Sequence, residues 1–135
     1  MDPIKSMPPA PLGAAPSLTT QPKTPFTADI SKFTPDEQTA INYHRQMLLL
    51  DQAKQNADGS LTTFMGSVVG TPQGQMYMPT YWHGEVRDVP QAMRFLTTSG
   101  LKFPVYKTVD AALTAEQRMH NIMEQDVTEY AKRKK

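Results

Sequence analysis

The sequence predicts a small α+β fold: a three-stranded antiparallel meander packed with about three helices, preceded by an extended Pro-rich N-terminal arm. Three observations carry this expectation. Pro3, Pro8, Pro9, Pro11, Pro16, Pro22, Pro25 and Pro35 crowd the start of the chain, and only Pro72, Pro79, Pro90 and Pro104 follow. Two β-prone runs flank a Gly-Thr-Pro-Gln-Gly turn in the middle of the chain. Apolar residues recur at helical spacing before and after those runs, and there are too few strands for a parallel sheet with crossovers.

Residues 1–33 read as the arm. Repeated proline holds the backbone near polyproline II and removes amide donors, while the intervening Ala, Ser, Thr and Gly offer little to bury. Phe26, Ile30 and Phe33 stand out there as bulky apolar residues and are candidate anchors on neighbouring molecules, with Phe33 alternatively a staple before the first helix. Residues 34–135 read as a compact domain, its first helix segment covering 34–57. The helix opens at Thr34-Pro35-Asp36-Glu37, where the hydroxyl caps free amides, proline sits where no donor is needed, and Glu37 completes a capping box. Ala40, Ile41, His44, Met47 and Leu48 carry it to about residue 54, and Asn56-Ala57-Asp58-Gly59-Ser60 ends it.

Leu61 to Val69, Gln75 to Trp82 and the short Glu85-Val86-Arg87 are the expected strands of the meander. Pro79 cannot donate to a ladder, so the second strand should be broken, bulged or an open edge there. Asp88 caps a short helix from Val89 or Pro90 to Thr98, stopped by Ser99-Gly100. After an extended Leu101 to Tyr106, Thr108 caps a longer helix with a stripe of Val109, Ala112, Leu113, Met119, Ile122, Met123, Val127 and Tyr130. Its basic end, Lys132-Arg133-Lys134-Lys135, suits the helix dipole and reads as a solvated terminus.

Composition narrows the chemistry. Fourteen Lys and Arg against thirteen Asp and Glu leave a formal charge of +1, so nucleic acid is not the expected main partner. There is no cysteine, which excludes disulfides, thiolate metal sites and a Cys nucleophile. No apolar run reaches the ~18 residues of a membrane span and no basic-then-apolar leader is visible, so the chain is expected neither to span a membrane nor to be secreted by itself.

His44, His83 and His120 are scattered, without the spacing of a metal-ligand set, so no metal or other cofactor is expected. His44 falls on the first helix's apolar stripe and reads as a packed, hydrogen-bonded residue; His83 is a turn residue and His120 a surface or interface one. Asp36 with Glu37, and Glu124 with Asp126, lie on helices where capping and solvation explain them. Ser60 and Ser67 lack a nucleophile elbow, and no catalytic residue is assigned. Tyr77 and Tyr81 on one strand face and Trp82 on the other are candidate partner-binding residues, or alternatively aromatics packed under helices. Nine methionines favour adaptable packing in a core or against a partner.

One ordered set of elements goes further: Asp58-Gly59-Ser60 with Thr62 or Thr63, the Gly74 turn, Tyr77-Met78-Pro79-Thr80, Gly84-Glu85-Val86, Ala92, Ser99-Gly100, and Thr108 opening a helix with Ala111, Ala112 and His120. In this order residues 58–135, and chiefly Asp58 to His120, resemble a small module that recurs in tailed-bacteriophage virion-associated and internal (ejection) proteins, sometimes beside peptidoglycan-cleaving domains. The resemblance implies a phage context and carries no catalytic residue. With the arm, it leads to the expectation of a non-enzymatic virion structural protein, made in the host bacterial cytoplasm and docked on capsid, portal or tail subunits in a multimeric assembly. An internal protein ejected with the genome, or an accessory to a peptidoglycan-degrading enzyme, is the alternative.

Overall fold

The computed structural model describes residues 26–133, so residues 1–25 of the arm and the last two lysines of the basic end lie outside the described residues. The elements in chain order are α1 (Pro35–Leu49), β1 (Lys54–Gln55), β2 (Leu61–Thr62), β3 (Gly66–Thr71), β4 (Gly74–Pro79), β5 (Tyr81–Trp82), β6 (Glu85–Val86), α2 (Val89–Ser99), β7 (Val105–Tyr106) and α3 (Val109–Arg133). The architecture is mixed α+β, with three helices and antiparallel sheets among the described residues.

The caps form as the residue types dictate. The Thr34 hydroxyl accepts from the Glu37 amide at 3.2 Å, and the Glu37 carboxylate accepts from the Thr34 amide at 3.0 Å, closing the capping box of α1. Asp88 caps α2 by accepting from the Gln91 amide, and Gly100 ends that helix in the left-handed conformation. The Thr108 hydroxyl accepts from the Ala111 amide at the start of α3. α1 stops at Leu49, short of the expected residue 54, because Lys54 and Gln55 leave the helix to pair with Thr62 and Leu61.

The three-stranded sheet has the order β3-β4-β7, so its third strand is Val105–Tyr106 and not Glu85–Arg87. Tyr81–Trp82 instead close onto Glu85–Val86 through the His83-Gly84 turn, whose two residues both have positive φ. β4 is central rather than an edge. Pro79 closes it, beyond the Gln75 and Met76 positions that pair with β7, and no ladder donor is missed. The break expected at Pro79 is present: the run from Gln75 to Trp82 forms two strands, separated at Thr80.

α1 packs against α3, and α3 against all three strands of the sheet. Ile41, Met78 and Met119 are fully buried in one core cluster, and Leu48 of α1 is fully buried as well. Tyr43 on α1 centres an aromatic group, its ring 5.0 to 5.9 Å from Trp82, Phe64 and Phe103 in edge-on geometry. On α3 the buried positions are Ala112, Ala115, Met119, Met123 and Asp126; Val109 and Leu113, expected on that stripe, remain 49% and 48% exposed. No helix among the described residues is long and apolar enough to cross a membrane.

The expected boundary between arm and domain at residue 34 is corrected. Phe26 and Ile30 are buried, Ile30 within the core cluster, and the backbone between them is tied to both long helices. Among the described residues the packed body therefore includes Phe26 and Ile30, two large apolar residues eight and four positions before Thr34.

Candidate functional site

The buried face of α1 carries polar residues among its apolar ones. His44 and Arg45 sit in the turn after Ile41, and both meet Asp126, which α3 places three residues beyond Met123. Arg45 holds Asp126 through two bonds, Nε to Oδ2 at 2.7 Å and Nη2 to Oδ1 at 3.1 Å. Its Nη2 also donates to the Ala28 carbonyl at 3.0 Å, and its guanidinium lies 5.1 Å over the Phe26 ring. Thr27 adds its amide and hydroxyl as donors to the Glu129 carboxylate. Residues 26–30 are thereby strapped to the helix pair.

His44 completes the chain of polar contacts. Its Nδ1 is 2.5 Å from the Thr63 hydroxyl. Its Nε2 is 3.4 Å from Asp126 Oδ2, near enough for attraction yet without a hydrogen-bond partner. Burial lowers the His44 pKa below the ordinary imidazole value, against the opposing pull of Asp126. Hydroxyl, imidazole and carboxylate thus stand in the order of a nucleophile relay. The electrostatics differ from one: Arg45 neutralises the carboxylate, and the imidazole is a weakened base that Asp126 does not orient by a hydrogen bond. The arrangement acts as a polar pin joining α1, the Thr63 segment, α3 and the strap.

Thr63 is also one wall of a cavity of about 640 Å³ between the segment from Ser60 to Gly66, Tyr77 of β4 and the middle of α3. Glu116, His120 and Glu124 supply its ionisable rim, with His120 Nε2 3.1 Å from Glu124 Oε2. Phe64, Met123 and Val127 supply apolar surface. The Tyr77 ring lies directly over Gly66, where a Cβ would come within 2.2 Å of it, so glycine is what lets the phenol reach this wall. Burial, with Glu116 nearby, raises the Tyr77 phenol pKa above its ordinary value. No group of three or more His, Asp or Glu side chains among the described residues is arranged to hold a metal ion.

The residues expected to bind partners are placed inward. Phe26 lies beneath Arg45, Ile30 in the core, and Phe33 against it with the Arg118 guanidinium 5.6 Å over its ring. Tyr77, Tyr81 and Trp82 are all buried. The Tyr43 hydroxyl donates to the Tyr81 carbonyl, Tyr81 donates to the Gln52 carbonyl at 2.6 Å, and Trp82 Nε1 donates to the Pro79 carbonyl at 2.9 Å. Among the six, Tyr77 alone reaches the cavity. Asp126, expected as a solvated helix carboxylate, is 0% exposed. Its position one turn beyond Met123 and two beyond Met119 was the signal that it shares their face. Comparison with protein families, curated proteins and solved structures finds no match for this chain.

Proposed function

We propose that the chain is a non-enzymatic structural protein of a bacteriophage particle, docking on capsid, portal or tail subunits in a multimeric assembly. The observation that carries this reading is the strap: Phe26, Ala28 and Ile30 fix one end of the Pro-rich segment to the α1–α3 pair. Seven of the twelve prolines precede Phe26, so the segment with the least capacity to form a core of its own starts from an anchored point. Such a segment gains its order by lying on another molecule, and proline lowers the entropy lost in doing so. The resemblance of residues 58–135 to a phage module supports the setting. The Arg45-neutralised Asp126 supports a structural, not catalytic, use of His44 and Thr63.

The test is deletion of residues 1–25, with the strap kept, followed by mass spectrometry of purified particles. Incorporation should fall while the remaining protein stays folded; normal incorporation removes the arm from the mechanism. The full chain should stay with the shell or tail after genome release, and its loss from emptied particles would instead support the ejected-protein reading.

A further inference from the structure

We infer that the cavity between the Ser60–Gly66 segment, Tyr77 and α3 is a binding site for an alkylammonium group, with Glu116 as its counter-ion and the Tyr77 hydroxyl as its second acceptor. This goes beyond the assembly role and does not rest on it.

Three features of the wall lead there. The first is charge. Glu116 and Glu124 are the carboxylates of the cavity, and neither Lys nor Arg is among its lining residues. His44 is held neutral by burial, and His120 is engaged with Glu124. An anionic ligand meets repulsion here, and a cation meets attraction.

The second is a pair of unspent groups. Glu116 is half-buried and, among the described residues, makes no hydrogen bond or ion pair. Tyr77 is only 3% exposed, lines the cavity, and its hydroxyl has no hydrogen-bond partner among the described residues. The ring is buried while the hydroxyl oxygen opens on the cavity, so its lone pairs are available to a donor that enters there. An ammonium offers three donors and no acceptor, which suits a carboxylate and a phenol oxygen on one wall.

The third is shape. At about 640 Å³ the cavity lies within the range of small-molecule sites and is far larger than one ammonium needs. Phe64, Met123 and Val127 would cover a methylene stem. Glu124 is eight residues beyond Glu116 on the same helix, about 12 Å along its axis. The stem therefore leads from the first carboxylate toward the second, and a linear diamine can address both. The same chemistry could arrive as a free diamine or as a lysine side chain of a peptide.

Titration of the full chain, followed by NMR shifts of the lining residues, tests this. The probes are 1,5-diaminopentane, Nα-acetyl-lysine methylamide and, as the anionic control, pentanoate. Saturable binding of the diamine, the lysine derivative or both in the millimolar range or tighter is expected, with no binding of pentanoate. Glu116→Gln, which alters a partly exposed residue and should leave the fold intact, should weaken the bound cation about tenfold or more. Tyr77→Phe should weaken it several-fold, with circular dichroism confirming that the variant is folded. Glu124→Gln separates the sources: it should weaken the diamine and leave the lysine derivative unaffected. Absence of saturable binding by either cation, equal binding of pentanoate, or unchanged affinity in Glu116→Gln would overturn the assignment.

Discussion

Asp126 has no solvent contact, and the two bonds from Arg45, itself 6% exposed, are what make its burial tolerable. Removing one partner of a buried pair leaves the other charge uncompensated, so Asp126→Ala should cost about 3–5 kcal/mol, a large share of a small domain's stability. Urea unfolding measures it. The double replacement Arg45→Met, Asp126→Leu should recover much of that loss, since well-packed apolar residues need no counter-charge. His44 adds a pH dependence whose sign follows from its depressed pKa. The unfolded chain takes up the proton first, so stability should fall as pH drops below about 6.5 and continue falling until the native pKa is passed. Asp29 and Asp58 have carboxylate pKa values lowered by hydrogen bonds from Ser31 and Ser60 respectively, which moves them away from that window. In His44→Gln the slope between about pH 6.5 and about pH 5 should flatten; an unchanged slope would assign it to another group. That His44 is packed was legible from its place on the α1 stripe. Its partners Thr63 and Asp126 were not, because they lie 19 and 82 residues away and local spacing carries no information on which distant polar group closes a contact.

Among the elements, the helices were the legible part, since Thr34, Asp88, Gly100 and Thr108 act within one turn of where they stand. Thr34→Ala should therefore cost about 1 kcal/mol in thermal or urea unfolding. Its partner Glu37 is more than a cap: its other oxygen accepts from the Tyr106 hydroxyl at 2.6 Å and lies 3.5 Å from Arg118, tying α1 to β7 and α3. Sheet membership was not legible. Glu85–Val86 and Val105–Tyr106 are both short extended segments, and only the tight turn at His83-Gly84, which folds the first of them onto Tyr81–Trp82, leaves β4 free for the second. Gly66 illustrates a constraint set across the sheet. Gly66→Ala drives a methyl into the Tyr77 ring and should cost about 1–3 kcal/mol. Most of this penalty should vanish in a Tyr77→Ala background; if it persists there, the cost lies in the β3 backbone and not in the ring.

Across the whole molecule, the stretch from Phe26 to Ile30 belongs to the packed body, and truncation on either side of it makes its contribution measurable. A body of about a hundred residues has little spare core, so each buried apolar side chain is a sizeable fraction of its net stability. Deleting residues 1–25 removes a Pro-rich sequence with few large apolar residues and should change unfolding stability by no more than about 0.5 kcal/mol. Deleting residues 1–33 also removes Phe26 from beneath Arg45, Ile30 from the core, the Ala28 carbonyl from Arg45 and Thr27 from Glu129. Loss of one large buried apolar side chain costs about 2–5 kcal/mol, and an unpaired guanidinium donor adds to it, so the longer deletion should lie at the edge of folding. The contrast matters for function, because a particle lacking the longer-deleted protein could be lacking a folded domain, whereas one lacking the shorter-deleted protein is lacking an arm. If both truncations unfold at the same urea concentration as the full chain, the strap contributes nothing to the body, and the anchored start of the arm loses its physical basis.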